Sequence, residues 1–156
     1  PLLCKMAAEK GYKMFFLGAA EGVAAKAAEN LMNRFKGLQI VDTYSPPFGF
    51  EKDPMEMDKI KSMIKEAAPH ILIVGLGCPK QEKFMYHHCA ELGVPISFGL
   101  GASFDFEAGN IKRAPRWMAN HGLEWLFRIT QDPKRMAKRY LVDDRKILGL
   151  AVKYRK

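Results

Sequence analysis

The stretch Gly75-Leu76-Gly77-Cys78-Pro79-Lys80-Gln81-Glu82 constrains this chain more than any other. The apolar run Ile71-Leu72-Ile73-Val74 leads into it, and an amphipathic segment from Lys80 to Leu92 leads out. A buried strand that ends in glycine and turns straight into a helix is the mark of an open α/β sheet, which binds ligands at such turns. Gly75 and Gly77 let the backbone come close to a ligand. Pro79 suits the first turn of a helix, where its missing N–H costs nothing. Lys80, Gln81 and Glu82 then offer three polar groups at the carboxyl end of the strand.

The same strand-to-helix unit recurs along the chain. Tyr12–Leu17 reads as a short buried strand that ends at Gly18-Ala19-Ala20-Glu21-Gly22. A helix follows from Val23 to Phe35, with Val23, Ala27, Leu31 and Phe35 on one stripe. Leu38–Val41 is the next strand and leads to a loop rich in Pro, Gly and aromatics, Thr43 to Phe50. A helix opens at Asp53 or Pro54 and runs to Ala68, with Met57, Ile60 and Ile64 inward. His70–Val74 is the third strand, and Pro95–Gly101 a fourth strand with its own glycine turn. Leu2, Leu3, Met6 and Ala7 read as the end of an amphipathic helix closed by Gly11, so earlier elements are expected before Pro1. The fold class is therefore α/β: a Rossmann-like parallel sheet, doubly wound with right-handed crossovers, over residues 1–110.

After Gly109 the pattern changes, and residues 111–156 form a basic helical appendage. Leu123, Leu126, Phe127 and Thr130, then Met136, Tyr140 and Leu141, suggest short helices broken at Asp132-Pro133, and Lys146 to Tyr154 a last one. This segment holds thirteen Lys and Arg against four acids, a local charge of +9, whereas residues 1–110 hold twelve against thirteen, or −1. All of the net charge of +8 thus sits in the last third. Such an excess calls for an anionic partner: phosphate, lipid head group or nucleic acid. No apolar run is long enough for a membrane-spanning helix. The three cysteines, Cys4, Cys78 and Cys89, lack metal spacing and read as reduced thiols of a cytosolic protein.

Three glycine turns at successive strand ends, around Gly18 and Gly22, Gly75 and Gly77, and Gly101, would converge on one edge of the sheet and share a groove. Free N–H groups at helix starts attract phosphate there. Asp105 and Glu107 follow the third turn; a carboxylate could hold ribose hydroxyls or act as a base, or Asp105 could cap a turn. Glu82 reads as a capping acid, whereas Lys80 runs against the helix dipole and so favours a ligand. His87-His88-Cys89 is not a metal site, because neighbouring side chains on a helix point about 100° apart. In the appendage, Arg113, Arg116, Arg128, Arg135, Lys138 and Arg139 are interleaved with Trp117, Trp125, Phe127 and Tyr140. Arginines bind phosphates bidentately and aromatics suit membrane interfaces, so a lipid-linked diphosphate fits, as does nucleic acid. Residues alone leave two alternatives: a basic nucleic-acid-binding α/β module, and a nicotinamide-dinucleotide-binding protein, which Asp42 keeps open although no G-x-G-x-x-G is present.

Four motifs in order carry a resemblance. They are Phe16-Leu17-Gly18-Ala19-Ala20-Glu21-Gly22-Val23-Ala24, Gly75 to Glu82, Gly101-Ala102-Ser103-Phe104-Asp105-Phe106-Glu107-Ala108-Gly109 with Arg113-Ala114-Pro115, and Gly122-Leu123-Glu124-Trp125-Leu126-Phe127-Arg128 followed by Asp132-Pro133, Arg135 and Arg139-Tyr140. Together they resemble the WecG/TagA/CpsF glycosyltransferases over essentially all 156 residues. The resemblance implies inverting transfer of N-acetylmannosamine, or its uronic acid, from a UDP-sugar to undecaprenyl-diphosphate-linked N-acetylglucosamine in the synthesis of teichoic acid-type polymers. It implies no cofactor and no metal, a cytoplasmic protein peripheral at the inner face of the cell membrane, an anionic membrane surface as partner, and self-association. It further implies that Gly18, Gly22, Gly75, Gly77, Pro79, Lys80, Gln81, Glu82, Gly101 and Asp105 bind the nucleotide sugar. Gln81 resembles the family's active-site glutamine, with a positioning role. Arg113, Arg128, Arg135, Lys138 and Arg139 match positions expected to meet the lipid diphosphate and membrane. The family's aspartate general base belongs to a portion before the equivalent of Pro1, so the base is expected to lie outside this chain.

Overall fold

The computed structural model describes residues 2–133. The chain divides into two compact units, Pro1–Ile111 and Lys112–Lys156. The first unit is an α/β sandwich. Helix α1 (Leu2–Lys10) is followed by strand β1 (Lys13–Gly18), α2 (Val23–Arg34), β2 (Gln39–Tyr44), α3 (Pro54–Ala67), β3 (Ile71–Gly75), α4 (Lys80–Leu92), β4 (Ile96–Gly99) and α5 (Ser103–Ala108). The four strands pair in the order β2-β1-β3-β4, all parallel. The chain leaves β1 toward β2 and then crosses back past β1 to β3, so the direction of winding reverses between β1 and β3. Open α/β sheets bind ligands at that reversal.

Burial follows from the alternation of side chains along β1 and β3. Met14, Phe16, Ile71 and Ile73 face a core closed by Cys4 and Ala7 of α1, Ala24, Ala27, Ala28 and Leu31 of α2, and Phe104 of α5. Phe15, Leu17, Leu72 and Val74 face the other core, closed by Ile60 and Ile64 of α3 and Phe84 and Leu92 of α4. Both strands are therefore apolar on both faces, as central parallel strands require. Small alanines on α2 bring that helix close to the sheet, and burial lifts the pKa of the Cys4 thiol there.

The sequence-based boundaries are close to the observed ones, with informative exceptions. Strand β2 runs three residues past Val41 because Thr43 and Tyr44 pair with Phe16 and Leu17. Its register slips between Met14 and Phe15: Ile40 stands opposite Met14, but Asp42 stands opposite Phe15, so Val41 is an extra residue. A 3-10 turn at Phe50–Lys52 and helix α5 were not expected from periodicity; both are too short to show a period. Pro79 precedes α4 rather than entering its first turn, and the Cys78–Pro79 peptide bond is cis.

In the second unit α6 (Arg116–Asn120) and α7 (Glu124–Gln131) are joined by a tight turn in which the Leu123 N–H donates to the Met118 carbonyl at 2.8 Å. The Gln131 side chain bonds both the N–H and the carbonyl of Lys112, each at 2.9 Å, and so ties the end of the pair to its start. The break expected at Asp132-Pro133 is present, since α7 ends at Gln131. The helix expected over Lys146–Tyr154 lies outside the described residues. Among the described residues no helix is long and apolar enough to cross a membrane.

Candidate functional site

The carboxyl ends of β1 and β3 touch. Gly18 and Gly75 are register partners, and the Ala19 N–H donates to the Gly75 carbonyl at 2.9 Å. A Cβ on Gly18 would lie 2.6 Å from that carbonyl, and Gly18 has φ of +113°, so both space and backbone demand glycine. Gly75 sits over the ring of Phe104, which an added Cβ would meet at 2.5 Å. Phe104 in turn lies against Phe16, with ring centroids 4.9 Å apart. The first and second glycine turns therefore meet through backbone, and the second rests on α5.

Gln81 joins the second turn to the third. It is 7% exposed, the buried polar side chain of the described residues. Its carbonyl oxygen Oε1 accepts from the Gly101 N–H at 3.1 Å and its Nε2 donates to the Glu82 carboxylate at 2.9 Å. Gly99 makes room for it: a Cβ there would meet Gln81 Nε2 at 2.9 Å. Burying an amide requires such partners, so Gln81 fixes the Gly101 turn relative to the start of α4. Gly77 and Gly22, at φ of +79° and +77°, have no atom near their missing Cβ and stand open.

Helix starts along this edge differ in a way that bears on anions. Asp53 caps α3, accepting from the N–H groups of Met55 and Glu56 at 3.0 and 3.4 Å. No side chain caps α2 or α4, which begin at the Gly18–Gly22 and Gly75–Pro79 turns. The Val23 and Gln81 N–H groups are taken by the carbonyls of Ala20 and Gly77, at 3.0 and 2.9 Å, and the positive ends of the two helix dipoles favour negative charge.

Several of the acids and bases have partners within the chain. Glu107 pairs with Arg34 of α2 at 2.5 Å, and its carbonyl accepts from the Asn30 amide at 2.9 Å, so its role is to dock α5 on α2. Asp105 lies in the first turn of α5, and its main-chain carbonyl closes that helix by accepting from Asn110 and Ile111. Lys80 reaches the loop after β2: its Nζ pairs with Glu51 at 2.5 Å and sits 4.7 Å from the centroid of the Phe48 ring. The Lys80 ammonium holds the Glu51 carboxyl below its ordinary pKa. The loop begins at Ser45, whose hydroxyl donates toward the carbonyls of Gly18 and Ala20 at 3.0 and 3.1 Å. Ser45, Phe48 and Glu51 were not singled out from the sequence. The proline pair at Pro46-Pro47 marks the loop but not its partners.

Cys78 is exposed in the turn, and Cys89 Sγ lies 3.1 Å from Ser97 Oγ. In the second unit Arg128 pairs with Glu124 one turn earlier at 2.7 Å. Arg135, Lys138 and Arg139 lie outside the described residues.

The model of the glycosyl transferase WecG/TagA/CpsF family matches residues 1–156. The chain belongs to that family. Two relatives carry the name N-acetylglucosaminyldiphosphoundecaprenol N-acetyl-beta-D-mannosaminyltransferase. The one from Bacillus spizizenii (strain ATCC 23059 / NRRL B-14472 / W23) is 37% identical over 134 residues, which are 85% of this chain and 49% of the relative. The one from Bacillus subtilis (strain 168) is 34% identical over 133 residues, 85% of this chain and 50% of the relative. The chain spans about half the length of the curated relatives it matches. Family membership sets aside the two alternatives left open by the residues alone. For a WecG/TagA/CpsF chain, the joined glycine turns are the candidate site.

Proposed function

We propose that this chain carries the nucleotide-sugar side of an inverting glycosyltransferase. It moves N-acetylmannosamine, or its uronic acid, from a UDP-sugar to undecaprenyl-diphosphate-linked N-acetylglucosamine, at a step in the synthesis of teichoic acid-type polymers. The family match over residues 1–156 carries this reading, together with the names of the two relatives. The geometry supports it, because the turns at Gly18, Gly75 and Gly101 meet at the reversal of winding, where such sheets take nucleotides.

In this reading the acceptor hydroxyl attacks the anomeric carbon from the face opposite the UDP. The new C–O bond forms as the bond to the diphosphate oxygen breaks, its proton passes to a base, and the configuration inverts. Charge builds on the departing diphosphate. In this reading the dipoles at the starts of α2 and α4, and the Lys80 ammonium, stabilise it. Gln81 holds the Gly101 turn in register and Asp105 contacts the nucleotide side. The base belongs to no residue assigned here, and the transfer proceeds without a metal. The second unit, with Arg113, Arg128, Arg135, Lys138 and Arg139, meets the lipid diphosphate and the anionic inner face of the membrane, and the chain self-associates there.

Titration with the UDP-sugar tests the pocket. The amide resonances of Gly18, Gly75 and Gly101 are expected to shift together, and unmoved turns would sink the site. Activity that survives chelation of divalent ions would support the metal-free step, and loss restored by one ion would refute it.

A further inference from the structure

Lys80 has two faces to serve. It begins α4, where a cation opposes the helix dipole, so its place there is not explained by helix stability. What it touches is a carboxylate and a ring: Glu51 at 2.5 Å and Phe48 at 4.7 Å. Strand β1 lies between β2 and β3 in the sheet. A link from the loop after β2 to the start of α4 therefore passes the carboxyl end of β1, beside the Gly18 turn. The loop is fixed at both ends, by Ser45 on the carbonyls of Gly18 and Ala20 and by Phe50 in the core. Between these anchors Phe48 is fully exposed, and both members of the Lys80–Glu51 pair are about 40% exposed, at 42% and 39%.

We infer that Glu51 is a positioning residue that acts through Lys80: it is an internal counter-ion, lodged on the ammonium that a donor diphosphate takes, and the diphosphate displaces it. The inference rests on the proposed nucleotide-sugar site. A half-exposed carboxylate holds its partner weakly, since water and salt screen the pair. A diphosphate brings more charge than one carboxylate and adds the helix-start dipoles, so it wins the exchange. Once Lys80 leaves Glu51 it also leaves the Phe48 ring, while the backbone bonds of the loop at Pro47 and Gly49 stay. Glu51 thus keeps the ammonium extended and paired in the empty protein, and opposes weak single-charge anions at the same place.

The test is the sign of a charge removal. Binding of UDP and of uridine would be measured by calorimetry for the wild-type chain, Glu51→Gln, Glu51→Asp and Lys80→Gln. Removing the competing charge is expected to tighten UDP binding about threefold at low salt, with the gain fading near 0.5 M salt as screening grows. Lys80→Gln is expected to weaken UDP binding about tenfold. Glu51→Asp keeps the charge and should return to wild-type affinity. Uridine, which has no phosphate, should bind all four alike. Unchanged or weaker UDP binding by Glu51→Gln would overturn the inference, and so would a parallel change for uridine, which would mean a merely structural loop effect. If the wild-type chain binds no UDP, the proposed nucleotide site falls and the inference with it. If it binds UDP and Glu51→Gln matches it, only the inference falls.

Discussion

Phe15 and Phe16 are neighbours in β1 and both are buried, one on each face of the sheet, whereas Trp117 and Trp125 of the second unit stand 61% and 47% exposed. Neither α6 nor α7 buries a residue. The first unit builds two cores on its central strands, although Phe48 and Tyr86 at its surface stay exposed. The second leaves aromatic and aliphatic side chains in solvent beside Lys112, Arg113 and Arg116. Exposed rings among basic residues suit a surface with an apolar interior and anionic rim, which is what the proposed membrane contact requires. Stability and binding should therefore respond to mutation in opposite units.

The largest separation is expected from Gly18→Ala. Its Cβ has no room against the Gly75 carbonyl, and the φ is strained, so it should lower unfolding free energy by about 3 kcal/mol. Gly77→Ala, with a positive φ of +79° and open space, should cost only about 1 kcal/mol; urea denaturation of both variants measures the difference. Equal costs would show that φ, not the backbone contact, dominates at these turns. Next comes Phe104→Ala, expected to lose about 3 kcal/mol by opening a cavity under Gly75. Gln81→Ala should lose about 2 kcal/mol, because the part-buried Gly101 N–H is left without its partner.

The second unit should behave otherwise. Trp117→Ala together with Trp125→Ala should shift urea stability by no more than about 0.5 kcal/mol, as exposed positions do. Cosedimentation with anionic liposomes should fall in that double variant. Stability loss without any change in liposome binding would invert the contrast drawn between the units.

A smaller effect lies within α4. Burial first, and the nearby Lys61 second, depress the pKa of His88 below its ordinary value of 6.5. The folded state thus resists protonating His88 more than the unfolded chain does. Its contribution is fully present above about pH 6.5 and is lost as pH falls through the depressed folded value. The thermal midpoint should decline over that acidic window, and less so in His88→Gln. An unchanged slope would place the titrating group elsewhere.

Strand and helix order in the first unit was legible because 13–18 and 71–75 are continuous apolar runs closed by glycine, while the 3.6 period runs long enough in 23–34, 54–67 and 80–92 to show. The three glycine turns were legible for the same reason: each ends an apolar strand. Which side chains join them was not. Gln81 looks like any polar residue at a helix start until Gly99 and Gly101 arrive from twenty residues away. Glu107 looked like a ligand acid, yet Arg34, distant in sequence, takes it into an ion pair at 2.5 Å. Glu51 and Phe48 follow a proline pair in a loop without period, so nothing local tied them to Lys80. Long-range polar partners carry no periodic signal, and it is these that shape the site.

The extra residue at Val41 has a consequence for how related chains are compared. Counting by twos, Ile40, Asp42 and Tyr44 should share a face. The slip instead leaves Ile40 on the α2 side and sends Tyr44 to the α3 side, where its hydroxyl donates to Glu56 and accepts from Lys59 Nζ at 2.6 Å. A one-residue gap at Val41 in a relative is therefore not a trimmed loop. It is the loss of the bulge alone, after which Asp42, Thr43 and Tyr44 would still stand opposite Phe15, Phe16 and Leu17 and keep their faces up to the anchor at Ser45.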